Sequence, residues 1–179
     1  MDLFEALQNR RSIRKYQDRP VPDELLTKVL EAARCAPSWA NTQCSRFVVV
    51  KDQPTRLKLA ETLPSSNPSQ KAIQFAPVVI AACGKKGVSG FYHNQASTIL
   101  GDWFMFDVAL AVSQLTLAAH ALGLATVNVG LLDLTKAGEV LGLPPDIQIV
   151  ELIPLGYPAQ QPNAPARKPL SEIVHWERW

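Results

Sequence analysis

The sequence predicts an α/β three-layer sandwich, because short apolar runs typical of strands alternate with amphipathic segments typical of helices. Its 179 residues suit a single domain, 1–179, that is long enough to bury a substantial core. No internal repeat or low-complexity segment interrupts the alternation. The pattern does not give strand directions, so it leaves the topology of the sheet open.

Helix signals dominate the start of the chain. Asp2 can cap a first helix, with Glu5 reaching back to it, and this helix should end near the basic segment 10–16. Pro22 suits the first turn of a second helix, which Pro37 ends. The apolar stripe of this second helix consists of Leu25, Leu26, Val29, Leu30 and Ala33.

Two apolar runs in the middle of the chain, 47–50 and 78–83, predict buried strands. Between them, Pro54 can open a short helix over 56–63. The following segment, 84–97, contains glycines that match no phosphate-binding pattern. We predict a long flexible loop there.

The longest helix is predicted over 102–122. It is apolar nearly all round, so we expect it at the centre of the fold or at an interface. A third strand is predicted over 125–129 and a fourth over 147–153. A short helix between them should be capped by Asp133 and should stop at Gly142.

The last part of the chain, 156–179, differs in composition from the rest. Four prolines interrupt it, so most of it cannot be helical. It ends with Trp176 and Trp179, and large aromatic side chains rarely remain in water. We expect an extended tail that packs on its own domain or on a partner subunit.

The composition is that of an ordinary soluble globular protein, with 47% apolar and 19% charged residues. A net charge of +2 is too small to favour nucleic acid or a membrane surface as a partner. No apolar run is expected to reach transmembrane length, and the acidic N-terminus does not fit a signal peptide. Three irregularly spaced cysteines predict reduced thiols in a cytoplasmic protein, and three scattered histidines predict no metal site.

The basic segment 10–16, with the sequence RRSIRKY, places four cations and a serine hydroxyl within seven residues. Arginine forks suit phosphate, because their donors are rigid and can bind two oxygens at once. Since the net charge is low, a small anionic ligand is favoured over a polyanion. A solvated basic turn is the alternative for this segment alone.

Groups for acid–base or nucleophilic chemistry are scarce in this chain. No Ser-His-Asp, Cys-His or paired-carboxylate arrangement can be argued from the sequence. Abundant phosphate-type donors without catalytic side chains are typical of proteins whose cofactor supplies the reactivity. We therefore assign no catalytic residue.

Four segments together resemble the nitroreductase family of FMN-dependent oxidoreductases, and the resemblance covers nearly the full chain. These segments are 10–14 (RRSIR), 36–43 (APSWANTQ), 123–131 (GLATVNVGL), and 154–158 (PLGYP) with 167–172 (RKPLSE). Each motif is weak alone, but their order and spacing make the match specific. Two departures concern the pocket wall: Cys44-Ser45 stands where many relatives have Pro-Trp, and Asn128 where many have an aromatic residue nearby.

The resemblance implies an α+β fold with a central mixed sheet flanked by helices, assembled as an intertwined homodimer with two FMN sites at its interface. Residues implied to hold phosphate and ribityl are Arg10, Arg11, Ser12, Arg14 and Arg167. Residues implied to reach the isoalloxazine from the other subunit are Pro37, Ser38 and Asn41. Residues implied to pass near the reactive edge are Asn128, Gly130 and Leu131. Plainer interpretations stay open for two positions, since Arg11 could be merely exposed and Asn41 a turn former.

The implied activity is FMN-dependent oxidation of NAD(P)H. Hydride would pass through flavin N5 in a ping-pong order to a nitroaromatic, a quinone or a similar acceptor. One alternative is another reaction on the same fold, such as reductive dehalogenation or flavin breakdown, with 84–97 as the candidate lid. A second alternative is a protein that binds or stores FMN without turnover.

Overall fold

Strand β2, Val78–Lys85, lies at the centre of the sheet and is buried along almost its whole length. In the computed structural model, which describes residues 1–179, β2 pairs antiparallel with one strand on each side. The other three strands of this sheet are β1 (Ser45–Val50), β5 (Ala125–Thr126) and β6 (Ile147–Gly156). The four strands run in the order β1-β2-β6-β5.

The pairings make this an α+β fold, as the family resemblance implies. All three pairings within the four-stranded sheet are antiparallel, so the alternation of elements did not produce the parallel sheet of an α/β sandwich. One parallel bridge, between Ser12 and Thr126, adds a mixed edge beside β5. The alternation of helices and strands along the sequence could not distinguish a parallel from an antiparallel sheet, because it does not give the strand directions.

The fold has six α-helices, of which five cover the two faces of the sheet and the first packs on the fifth. Their bounds are α1 (Leu3–Asn9), α2 (Asp23–Arg34), α3 (Gln53–Glu61), α4 (Gln70–Phe75), α5 (Phe104–Ala121) and α6 (Leu134–Leu141). Helices α2 and α5 pack on one face around a core that includes Val29, Ile80 and Leu115. Helices α3, α4 and α6 pack on the other face around Leu59 and Leu152.

Helix α5 is the longest helix, as predicted, with 18 residues of which seven are buried. By length and composition alone it is apolar enough to cross a membrane, so the prediction that no apolar run reaches that length was wrong. In the fold it packs against α2 and against the sheet. These contacts account for its seven buried residues, whereas Met105 and Phe106 extend the apolar character of the helix onto the exposed surface.

Capping residues explain where several helices begin and end. The Asp2 carboxylate accepts the N–H of Glu5 at 2.9 Å, and Asp133 accepts the N–H of Lys136 at 3.1 Å. Gly142 ends α6 in a left-handed conformation with φ of 63°. Helix α3 starts earlier than predicted, because Asp52 caps it ahead of Pro54.

The segment 84–97 is more ordered than the predicted loop. Phe91–Tyr92 (β3) pairs with Gln95–Ala96 (β4) in a two-stranded hairpin. His93 and Asn94 form its turn, with φ of 49° and 61°. Both values suit the tight hairpin turns that require positive φ, a signal hidden by the absence of glycine at these positions.

The tail has no regular secondary structure apart from one turn of 3-10 helix at Leu170–Glu172. Its start is fixed to the domain, since the N–H of Ala159 donates to the Lys15 carbonyl at 2.9 Å. Residues 161–179 are exposed in the single chain, and the Trp176 and Trp179 side chains keep 82% and 98% of their accessibility. Packing of this tail on a partner subunit stays a prediction.

The Gly156→Ala substitution tests how tightly the end of β6 packs. A Cβ there would lie 2.7 Å from Cδ of Pro77 and 3.1 Å from Cδ1 of Tyr16. We expect a loss of about 1–3 kcal/mol in the free energy of unfolding, as for other overpacked cores. Gly138→Ala is the matched control, because its Cβ would meet only Leu143 at 3.8 Å and should stabilise α6 by about 0.5–1 kcal/mol. Equal denaturation midpoints for the two variants would contradict this packing.

Candidate functional site

The segment 10–16 runs along the free edge of β5. The Ile13 N–H donates to the Thr126 carbonyl at 2.9 Å, beside the parallel bridge of Ser12. The Tyr16 hydroxyl lies 2.6 Å from the Ile13 carbonyl oxygen and 3.1 Å from that of Pro154. These bonds fix the backbone with Ile13 buried, so the side chains on either side of it point outward.

The outward side chains line a cavity of about 440 Å³. Its lining consists of Arg10, Arg11, Ser12, Arg14, Pro162, Asn163, Pro165 and Arg167. The fold therefore gathers all five residues assigned to phosphate and ribityl, including Arg167 from the tail more than 150 positions away in sequence. We call this cavity the arginine pocket.

No carboxylate lines the arginine pocket. The chain has six ion pairs elsewhere, yet none of them involves an arginine of this pocket. Burial lowers the pKa of Arg10, and the charges of Arg167 and Arg11 lower it further. Like charges crowded in this way favour an anion, and a phosphate could accept several charge-assisted hydrogen bonds at once.

The arginines of the pocket differ in how free their donors are. Nη1 of Arg11 donates to the carbonyls of Gln8 at 2.6 Å and of Arg10 at 2.9 Å. Nε of Arg14 donates to the Ser69 hydroxyl at 3.3 Å, which leaves its terminal nitrogens free. This geometry favours Arg14 over Arg11 as a direct ligand of an anion.

The segment 128–131 continues from Thr126 along the same edge of the sheet. Val129 and Leu152 exchange two backbone hydrogen bonds, each 3.0 Å long. Gly130 and Leu131 are exposed beyond this bridge, and a Cβ on Gly130 would meet no atom within 4 Å. The structure thus places the predicted reactive-edge segment on the same side of the sheet as the arginine pocket.

The third predicted group, Pro37, Ser38 and Asn41, lies elsewhere. It belongs to the loop between α2 and β1, and β1 is the opposite edge strand of the sheet. Three inter-strand spacings, about 14 Å, separate the two edges. Neither of the cavities lined by Arg10, of about 570 and 440 Å³, includes a residue of 37–41.

The loop 38–44 has an unusual backbone. Ala40, Asn41 and Gln43 adopt left-handed conformations, with φ of 41°, 55° and 49°. Such a conformation costs about 1–2 kcal/mol for a residue other than glycine, with Asn penalised least. Pro37 and Ser38 line a cavity of about 240 Å³ whose other walls include Trp39, Trp103 and Phe106. A strained polar loop beside aromatic rings suits one face of a planar ligand.

Sequence reasoning missed two acidic residues near these segments. Glu151 on β6 accepts a hydrogen bond from Nδ2 of Asn128 at 3.4 Å, and burial raises the pKa of its carboxyl to about 7. Asp107 on α5 is buried to 1% exposure beside the loop 38–44. The available signal for both was a lone carboxylate within an otherwise apolar element.

The fold and these sites define a class of protein: an α+β domain with a cationic pocket at one sheet edge and a loop beside aromatic rings at the other. The nitroreductase family model matches residues 7–157. The chain belongs to the nitroreductase family.

Comparisons with individual proteins agree with this membership. A Methanothermobacter thermautotrophicus protein described as an NADH dehydrogenase/NAD(P)H nitroreductase is 35% identical over 188 residues, covering 100% of this chain and 88% of that protein. A crystal structure from Exiguobacterium sibiricum, described as a nitroreductase in complex with FMN, has a TM-score of 0.87 and 26% identity over 99% of this chain and 98% of that one. Rat iodotyrosine deiodinase 1 is 30% identical over 97% of this chain and 68% of its own length.

The carboxyl of Glu151 should give the folded chain a specific pH dependence. The unfolded chain loses this proton near the ordinary value of 4.5, whereas the folded chain keeps it until about 7. As the pH rises from about 4.5 to about 7, the contribution of Glu151 to the free energy of unfolding therefore decreases, and above pH 7 it stays constant. We expect Glu151→Gln to remove this fall, so that the variant gains stability over the wild type at pH 8 but not below pH 5.

Thermal unfolding of the apoprotein at several pH values measures this effect. Glu139→Gln is the control, because Glu139 is exposed on α6. A Glu151→Gln variant whose stability runs parallel to that of the wild type across this range would show that the carboxyl is not perturbed.

Proposed function

We propose that this chain is an FMN-dependent NAD(P)H oxidoreductase. The observation that supports this most strongly is the arginine pocket, which brings together cations from both ends of the chain without a carboxylate. FMN carries the phosphate that such a pocket suits, whereas riboflavin does not. The relatives described as NAD(P)H nitroreductase, FMN reductase and an FMN complex support the same proposal.

The residues present fit FMN. Arg10, Arg14 and Arg167 offer free guanidinium donors for a dianionic phosphate, and the Ser12 hydroxyl suits phosphate or ribityl oxygens. Exposed backbone at Gly130 and Leu131 leaves room for the edge of a planar ring, since a Cβ on Gly130 would touch nothing. Arg11 contributes charge to the pocket more than direct bonds.

When bound, FMN supplies hydride transfer from NAD(P)H to an acceptor such as a nitroaromatic or a quinone, in two half-reactions of ping-pong order. The protein side chains have supporting roles in this scheme. The arginines fix the position of the phosphate, and they add positive potential to the site. Pro37 and Ser38, with the nearby aromatic rings, exclude water from one side of the ring. No protein side chain is required to form a covalent bond.

The site is proposed to be shared between two chains of a homodimer. The arginine pocket, assigned to the phosphate, and the loop 37–41, assigned to the ring, lie at opposite edges of one sheet and line separate cavities, which favours contributions from two chains. Two chains with antiparallel placement would bring the arginine edge of one against the loop edge of the other. The exposed side chains of Met105, Phe106, Trp176 and Trp179 supply apolar surface for such an interface.

Reductive dehalogenation is the second candidate, favoured by the similarity to iodotyrosine deiodinase 1. The hairpin β3–β4 is the feature of this chain that suits a cover for the substrate, since it lies in an exposed segment before α5. Storage of FMN without turnover is the outcome expected if neither activity is found. The compartment is proposed to be the cytoplasm, in line with the three free thiols.

One assay separates these functions. Purified protein is denatured and the released chromophore is identified, and the holoprotein is then supplied with NADH or NADPH and with a nitroaromatic, a quinone or an iodinated tyrosine. Released FMN with turnover of the first two acceptors, and parallel double-reciprocal plots, supports the proposal. Iodide release favours dehalogenation. FMN without oxidation of NAD(P)H indicates storage, and absence of FMN after reconstitution contradicts all three.

Arg14→Ala should weaken FMN binding by about 1.5–3 kcal/mol, the range for hydrogen bonds to charged groups. Ser12→Ala should cost less, since its hydroxyl is neutral. Fluorescence titration of the apoprotein with FMN measures both. Lys28→Ala is the control, because Lys28 is an exposed cation that pairs with Glu24 on α2. Wild-type affinity in Arg14→Ala would remove Arg14 from the phosphate site.

Deletion of 172–179 should weaken dimerisation and FMN retention together. The deleted residues include both exposed tryptophans of the tail, which are expected to gain burial on the partner. Sedimentation velocity with detection of flavin absorbance follows both properties at once, and Trp179→Ala alone should give a smaller effect. A truncated chain that sediments as a flavin-loaded monomer would contradict the shared site.

A further inference from the structure

Asp107 is the most deeply buried acidic residue of the molecule, with 1% exposure in the first turn of α5. None of the six ion pairs of the chain includes it. An ionised carboxylate in such a place is costly unless hydrogen bonds replace its lost hydration. The groups that donate hydrogen bonds to Asp107 are therefore held in place by its carboxylate.

Four donors surround the Asp107 carboxylate. The backbone N–H of Trp39 donates to Oδ1 at 3.0 Å. Oδ2 accepts the hydroxyls of Ser89 at 2.7 Å and Thr42 at 3.4 Å, and the thiol of Cys44 at 3.3 Å. Burial, the larger cause, and the hydrogen bond to Asp107, the second, together raise the pKa of the Cys44 thiol to about 12. The thiol therefore keeps the proton that it donates to Asp107. Three of the four donors come from the loop 38–44.

These three donors are placed around the strained residues of the loop. Trp39 precedes the left-handed Ala40 and Asn41, Thr42 lies between Asn41 and Gln43, and Cys44 follows. The local bond from the Gln43 N–H to the Ser38 hydroxyl, 2.9 Å long, closes the same loop. The loop is therefore bonded to one carboxylate on both sides of its left-handed residues and also between them.

The fourth donor connects a second segment to the same carboxylate. Ser89 precedes the hairpin β3–β4, and its carbonyl accepts the Trp103 N–H at 3.0 Å. The ring of Trp103 lies 5.1 Å from that of Trp39. A Cβ on Gly90 would lie 2.4 Å from Cδ1 of Trp103, so this contact leaves no free space. Asp107 therefore joins the loop 38–44, the start of the hairpin segment and α5.

We propose that Asp107 is a positioning residue that holds the loop 38–44 in the conformation in which Pro37, Ser38 and Asn41 contact the ring of the cofactor. It acts through hydrogen bonds to the loop and does not itself touch the reacting atoms. Cys44, which stands where many relatives have proline, takes part in this arrangement as a buried hydrogen-bond donor to Asp107. The part of the proposal that concerns the cofactor rests on the proposed function, whereas the part that concerns the loop does not.

Three variants and one control test this proposal. Asp107→Leu removes every acceptor, and Thr42→Val removes a single donor with little change of shape. Asp107→Asn keeps one acceptor oxygen for the Trp39 N–H and turns an amide toward hydroxyls that can accept from it. Val112→Ala is the control, because Val112 is buried on the same helix but contacts none of these groups through hydrogen bonds.

Amide hydrogen exchange of the apoprotein reports on the loop without the cofactor. Asp107→Leu should speed exchange in 38–44 by about tenfold relative to β6, with smaller increases for Asp107→Asn and Thr42→Val. Val112→Ala should not accelerate this loop selectively. Unchanged exchange in a folded Asp107→Leu or Thr42→Val variant, or equal acceleration in Val112→Ala, would overturn the proposal.

Ligand titration then distinguishes contacts to the ring of the cofactor from contacts to its phosphate. Asp107→Leu should weaken riboflavin and FMN binding by about tenfold, an effect of lost ring contacts. Competition by inorganic phosphate against FMN should keep its wild-type constant, because the arginine pocket lies at the other edge of the sheet. Loss of phosphate competition in parallel with riboflavin binding would show a general structural defect, which would overturn the selective role of Asp107 in the loop. Wild-type protein that binds no FMN would defeat the proposed function, while the exchange result would still decide the role of Asp107 in the loop.

Discussion

Electrostatic repulsion within the arginine pocket is the constraint on which the site depends. Arg10, Arg14 and Arg167 come from both ends of the chain and meet without a carboxylate. Burial and the neighbouring arginines lower the pKa of Arg10, so the folded chain holds these cations close at an energetic cost. The backbone bond from Ile13 to Thr126 and the buried Ile13 side chain hold the segment in place despite that cost. An anion bound there would stabilise the fold by mass action, which couples cofactor binding to stability.

The second constraint is the geometry of the sheet. In the order β1-β2-β6-β5, the arginine pocket borders β5 and the loop 38–44 precedes β1. This separation is the reason for proposing that a ligand with both a phosphate and a planar ring is bound between two chains. Each of the two regions has its own support in the fold. The arginine segment is pinned by backbone bonds to β5, and the loop is held by the carboxylate of Asp107.

The sequence predicted much of this arrangement and missed specific parts of it. Capping by Asp2 and Asp133 and the stop at Gly142 were readable because they depend on local side-chain and backbone chemistry. The antiparallel pairing of the strands was not readable from alternation, because pairing depends on contacts distant in sequence. The family resemblance supplied the α+β class and a mixed sheet, but not the order or direction of the strands. The hairpin within 84–97 was not predicted, because His93 and Asn94 adopt positive φ without a glycine.

Among the site residues, the arginines were recognisable in the sequence as a local cluster. Asp107 was not, because its partners lie up to 68 positions away.

Complementation between two defective chains tests the shared site most directly. One chain would carry Arg14→Glu in the arginine pocket and the other Ser38→Trp in the loop, with different affinity tags so that the heterodimer can be isolated. In a shared site, the unaltered pocket of the second chain meets the unaltered loop of the first. The account therefore predicts about one FMN per heterodimer, with little or none in either variant homodimer. A heterodimer that binds no FMN, while the wild-type dimer binds it at both sites, would contradict the account.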